Sequence, residues 1–82
     1  MSQFELLQTT SQYNSTARNR LKANYKQILK DHNIKPAEII DMGYATNNVY
    51  SWTNVKANNI PMFEQALKIA THFNFDIKEF LK

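Results

Sequence analysis

The chain has no cysteine, one glycine and two prolines in 82 residues. Without cysteine there are no disulfide staples and no thiolate metal ligands, and a reducing compartment is permitted. So little Gly and Pro cannot supply the tight turns of a sandwich or barrel. No run approaches the roughly 18 apolar residues that a membrane helix needs. The N-terminus MSQFELLQTT lacks a basic patch followed by an apolar run, so it does not read as a signal peptide. A soluble, cytoplasmic protein is therefore expected. Acidic residues are also missing from one long window, since no Asp or Glu lies between Gly43 and Phe63.

What is present is enough for one small core, with 43% hydrophobic residues. Residues 1–15 are polar, with Phe4, Leu6, Leu7 and Tyr13 as the sizeable apolar groups, and read as an arm or a loose helical turn. Ser15 or Thr16 is placed to cap the next helix. Ala17, Leu21, Tyr25, Ile28 and Leu29 then recur at helical spacing, and that helix should end near His32–Asn33. Pro36 suits the start of a second helix, where its missing N–H costs nothing. Ile39, Ile40 and Met42 give that helix a buried side, and Gly43 suits a left-handed closing turn. Thr46 or Asn47 is placed to cap a third helix reaching Thr53, with Val49 and Trp52 facing inward. After a loop over 54–60, Pro61 introduces a fourth helix facing the core with Phe63, Ala66, Leu67, Ile69, Ala70 and Phe73, and Asn74 is a fitting stop. Asp76 and Glu79 have capping-box spacing and start a short fifth helix carrying Ile77, Phe80 and Leu81. No strand pattern emerges. The expected fold is all-α: five short helices over residues 16–82, sharing one core.

Charge is distributed unevenly. The net value is only +3, yet Arg18, Arg20, Lys22, Lys26, Lys30 and Lys35 fall in one segment opposed by Asp31 alone. The acid-free window instead holds Asn47, Asn48, Asn54, Asn58 and Asn59 with Lys56. A surface rich in neutral donors and free of carboxylates approaches phosphates without repulsion. Two short helices joined by a glycine-containing turn, here around Gly43, outline a helix-turn-helix, whose second helix is shaped for a DNA major groove.

The order Met42-Gly43, Val49, Trp52, Asn54, Ile60-Pro61, Ala66-Leu67-Lys68-Ile69-Ala70, Phe73-Asn74 and Ile77-Lys78-Glu79-Phe80-Leu81 resembles the lambda-repressor-like helix-turn-helix family. That family includes phage repressors, Cro-type proteins and some antitoxins. The likeness covers residues 17–82, and its most specific part is the ending, KIA then FN then DIKEFL. Family members often carry Ser-Gln or Thr-Gln at the start of the second helix, where the Gln touches phosphate. Lys35 and Pro36 stand there in this chain, with Lys35 the candidate for that contact.

The resemblance implies a sequence-specific regulator that binds double-stranded DNA at an operator, as a homodimer on a near-palindromic site. It places Thr46, Asn47, Asn48, Tyr50 and Ser51 against base edges. Asn pairs bidentately with adenine, and Thr or Ser suits either partner, so readout should lean to A·T. Backbone anchoring is expected from Asn54, Lys56, Asn58 and Asn59, with Lys26 and Lys35 clamping from the other side. Arg18, Arg20 and Lys22 would guide the approach. Four to six phosphate contacts would give a log–log salt slope of about −4 to −5 per monomer. Ile77, Phe80 and Leu81 are candidate dimer contacts, and a rival repressor or an anti-repressor is a candidate protein partner. The alternative is a protein-interaction module on the same fold, resembling an anti-repressor or antitoxin, with Phe4, Leu6 and Leu7 as its apolar patch. With no paired His, glycine-rich phosphate loop or clustered carboxylates, no enzyme site, metal site or cofactor is expected.

Overall fold

The computed structural model describes residues 2–54 and 56–82; Met1, in the expected arm, and Val55, in the expected loop, lie outside the described residues. The described residues form α1 (Gln3–Ser15), α2 (Arg18–Asp31), α3 (Pro36–Ile40), α4 (Thr46–Thr53) and α5 (Phe63–His72), followed by a 3-10 turn, Ile77–Leu81. No strand occurs among them. The domain is all-α, as its apolar spacing requires. No helix among the described residues is long and apolar enough to cross a membrane.

The first element differs most from expectation. Residues 3–15 form a full helix, not an arm or a loose turn. Its N-cap is Ser2, whose hydroxyl accepts the Glu5 amide at 3.1 Å. The inner face is built from Thr9 and Tyr13, with Leu6 half-buried. Thr9 can be buried because its hydroxyl donates to the Glu5 carbonyl one turn back, leaving its methyl to pack. Tyr13 sits edge-on to Phe63 and Phe80, and its hydroxyl donates to the Pro61 carbonyl. Phe4 and Leu7, the large apolar groups that catch the eye in the sequence, are 68% and 65% exposed.

Helix ends follow local hydrogen bonding. Ser15 and Thr16 do not cap α2. Their hydroxyls donate back to the Gln12 carbonyl and finish α1, and Ala17 stands at the α2 N-cap with no side-chain bond. α2 and α5 close in the same way. Asn33 and Asn74 take left-handed backbones, with φ of 53° and 59°. The next amides then reach back five residues, Ile34 to the Leu29 carbonyl (2.8 Å) and Phe75 to the Ala70 carbonyl (2.9 Å). Asp76 does cap the last turn, accepting the Lys78 amide at 2.9 Å. The expected reciprocal partner, Glu79, is used elsewhere: its carboxylate lies 3.2 Å from Nε2 of His32, whose ring stacks on Phe75.

Around the core, Leu21, Tyr25, Ile28, Leu29, Ile39, Val49, Trp52, Ala66, Ile69, Ala70, Ile77 and Phe80 are buried. Phe63, Leu67 and Phe73 pack at its margin. Ile77 and Phe80, expected as dimer contacts, are thus committed to the interior, and only Leu81 remains half-exposed.

The α3–α4 connection depends on Gly43, at φ +107°. Its amide donates to the Ile40 carbonyl at 2.9 Å and folds the chain away from α3. No atom lies within 4 Å of a Cβ built there, so replacement meets strain rather than a clash. Gly43→Ala is expected to destabilise by about 1–2 kcal/mol, all of it conformational. Urea unfolding should show a lower midpoint at an unchanged slope. An unaltered midpoint would mean that the turn relaxes freely.

Candidate nucleic-acid interface

α3 and α4 are joined by the turn Asp41–Ala45 and pack on each other. Trp52 and Val49 seat α4. Trp52 meets Tyr25 of α2 edge-on at 5.9 Å and Tyr44 of the turn at 5.7 Å. With those two residues inward, the 100° step of a helix turns Asn47 and Tyr50 to the opposite arc and leaves Thr46 beside it. All three are exposed, as is Asn48 on the flank. Thr46 and Asn47 do not cap the helix. Ala45 occupies the N-cap with no side-chain hydrogen bond, so both side chains sit within the first turn.

Ser51 is placed differently. It is half-buried, and its hydroxyl donates to the Asn48 carbonyl at 2.8 Å while accepting from Nδ2 of Asn59 at 2.7 Å. Its carbonyl accepts twice more, from the Asn54 amide and from Nζ of Lys22 at 2.8 Å. Ser51 and Asn59 are therefore braces that tie the following loop to α4.

The rest of the loop is tied down at its two ends. The Asn54 side chain accepts the Lys56 amide at 3.0 Å, forming a tight turn. The Asn58 carbonyl accepts Nη1 of Arg18 at 3.2 Å. The side chains of Asn54, Lys56 and Asn58 are exposed. Lys26 and Lys35 are also exposed, Lys35 immediately before Pro36 of α3.

Of the three cations expected to steer approach, Lys22 alone is buried; Arg18 and Arg20 are exposed, and each also donates to a backbone carbonyl. Arg18 holds Asn58. Arg20 donates through Nε to the Lys82 carbonyl at 2.8 Å and through Nη2 to the Leu81 carbonyl. Lys22 is 6% exposed. Burial, and then the neighbouring Arg18 charge, lower its ammonium below the ordinary lysine range. A signal for Lys22 was present in the sequence: it falls on the inward stripe with Leu21, Tyr25 and Leu29, where a charge needs a partner. Nothing in the sequence named that partner, because a backbone carbonyl has no residue identity.

The resulting surface has an outer helical arc of amide, hydroxyl and phenol groups, flanked by Lys56 and the free ends of Asn54 and Asn58. Neutral side chains of this kind offer both donors and acceptors to base edges, and the chain from Gly43 to Phe63 carries no carboxylate, the nearest to α4 in sequence being Asp41 at the start of the turn. A scan against protein-family models, a search of curated proteins and a search of solved structures each found no match to this chain.

Proposed function

We propose that this domain is a sequence-specific regulator that binds double-stranded DNA through α3–α4, with α4 in the major groove and the fold arranged as in lambda-repressor-like proteins. One observation carries the reading: Val49 and Trp52 seat α4 so that Thr46, Asn47 and Tyr50 stand together on its exposed arc, in a stretch without acidic residues. On this reading the domain acts by occupying an operator and blocking polymerase or a rival repressor, as phage repressors and Cro-type proteins do. The base-reading set is Thr46, Asn47, Asn48 and Tyr50, with Ser51 holding the geometry.

The cations left for phosphate are fewer than the sequence suggests. With Lys22 buried, the exposed cations left are Lys26, Lys35 and Lys56, joined by Arg18 and Arg20 where their guanidinium groups also reach phosphate, which puts the salt slope at about −2.7 to −4.5 per domain. The test is selection of bound duplexes from a random pool, followed by salt titration. Selected sites should lean to A·T. Asn47→Ala should weaken the selected site by about 1–3 kcal/mol while leaving the salt slope unchanged. A slope near zero, or equal affinity for every duplex, removes the proposal.

A second reading, a protein-interaction module on the same fold, is favoured by the exposure of Phe4 and Leu7 on α1. The same titration separates the two, because that module needs no salt-sensitive affinity for a duplex.

A further inference from the structure

Lys22 is 6% exposed, and its ammonium makes one part-buried hydrogen bond. An ammonium gives up hydration in such a place, and one hydrogen bond offsets only part of that loss. A methionine would fill the same space on α2 without the charge. Burial therefore supplies no reason for a cation here, whereas its geometry does. Nζ lies 2.8 Å from the Ser51 carbonyl, in the last turn of α4, where backbone carbonyls carry the negative end of the helix dipole. One turn earlier on α2, Arg18 holds the Asn58 carbonyl. The two cations grip the two ends of the stretch from Ser51 to Asn58, and Asn59 closes it by donating to the Ser51 hydroxyl.

We infer that Lys22 is a positioning residue for the DNA-reading helix: it clamps the C-terminal turn of α4 to α2 and so sets the angle at which Thr46, Asn47 and Tyr50 meet base edges. The inference rests on the duplex-binding reading and assigns Lys22 a role other than phosphate contact. Arg18 and Asn59 extend the clamp into the loop that carries Lys56. Specificity is then sensitive to a residue that never touches DNA. A tilt of α4 displaces every base contact together, while the exposed lysines still reach phosphate.

The experiment compares wild type and Lys22→Met on the selected duplex and on random duplex, over a range of salt. The clamp predicts that the ratio of selected-site to random-site affinity falls about tenfold, the loss of one well-aligned base contact. The salt slope should hold, and the thermal midpoint should hold or rise as a buried charge is replaced by an apolar group. A slope shallower by about 0.9 with the ratio retained would make Lys22 a phosphate contact and overturn the inference. An unchanged ratio and slope would overturn it as well. A wild type with no preference among duplexes would instead sink the duplex reading itself, and the inference with it. Should Lys22→Met lack helical circular dichroism, Lys22→Leu, which removes both donor and charge, is judged on the same ratio and slope.

Discussion

Trp52→Ala is expected to cost about 3–5 kcal/mol, the upper range for emptying a buried aromatic site. The domain as a whole should hold no more than about 5–15 kcal/mol, and its small size puts it at the lower end. The variant should therefore keep no more than about 2 kcal/mol if the domain starts near 5, and be measurably unfolded without denaturant. The indole is 2% exposed. Its edge-on contacts with Tyr25 and Tyr44 join α2, α4 and the turn after α3. Each such pair contributes roughly 0.5–1.5 kcal/mol beyond its buried area. A helix of eight residues is too short to persist alone, so α4 depends on this anchor for its existence as well as its place. Urea unfolding followed by circular dichroism measures the loss without needing the indole as a probe. A cost below about 1 kcal/mol would mean that the site collapses without penalty and that α4 is held by something else.

The same residue shows why much of the fold was legible. Val49 and Trp52 are three apart, Leu21, Tyr25 and Ile28 keep helical spacing, and each set has one side free for polar groups. Binary patterning of this kind survives because it is what drives burial. Gly43 was legible for a different reason: it is the only glycine in the chain, at a place where the backbone must take a positive φ. α1 was harder to read. Its two most visible apolar residues, Phe4 and Leu7, face outward, while its inner face uses a threonine and a tyrosine. The Ser2-x-x-Glu5 spacing was the available signal, and Ser2 does cap the helix.

The candidate surface was legible only where side chains act alone. The exposure of Asn47 and Tyr50 followed from helix register, because an inward Val49 and Trp52 put them on the far side, whereas Thr46 and Asn48 lie on the flanks. Ser51 and Asn59 did not follow from register, since their roles come from a bond to each other across the loop. The cations of α2 were harder still. Arg18, Arg20 and Lys22 each donate to a backbone carbonyl far along the chain. A basic run is therefore a poor guide to phosphate contacts when it lies on a helix packed by its neighbours. A cation buried as Lys22 is cannot reach an outside phosphate, and exposed ones such as Arg18 and Arg20 are partly committed to chain ends and loops.

Above pH 10 the domain should lose stability steeply, through Tyr13 and Tyr25. Both phenols are buried. Burial raises each well above the ordinary 10.0, and for Tyr25 the neighbouring Tyr13 adds to the effect. Below pH 10 both the folded and the unfolded chain keep these protons, and the stabilisation is complete. Above it the unfolded phenols ionise while the folded ones do not, so the unfolded chain binds fewer protons and stability falls as pH rises. The slope approaches about 1.4 kcal/mol per pH unit for each phenol, or about 4–5 kcal/mol for the pair between pH 10 and 12. Lys22 works in the opposite direction. Its folded value lies below the ordinary 10.5, so just under that pH the unfolded chain holds the extra proton and stability rises. That offset ends once the unfolded lysine has also lost its proton, and the net decline should steepen above about pH 10.5. Urea midpoints measured from pH 8 to 12 would trace the curve. Two variants divide it. Tyr13→Phe should halve the alkaline slope and cost about 1 kcal/mol at neutral pH, by stripping the Pro61 carbonyl of its donor. Tyr25→Phe should also halve the slope but cost little or nothing at neutral pH, because its hydroxyl has no hydrogen-bond partner among the described residues. If the double variant unfolds along the wild-type alkaline curve, the buried phenols are not its cause.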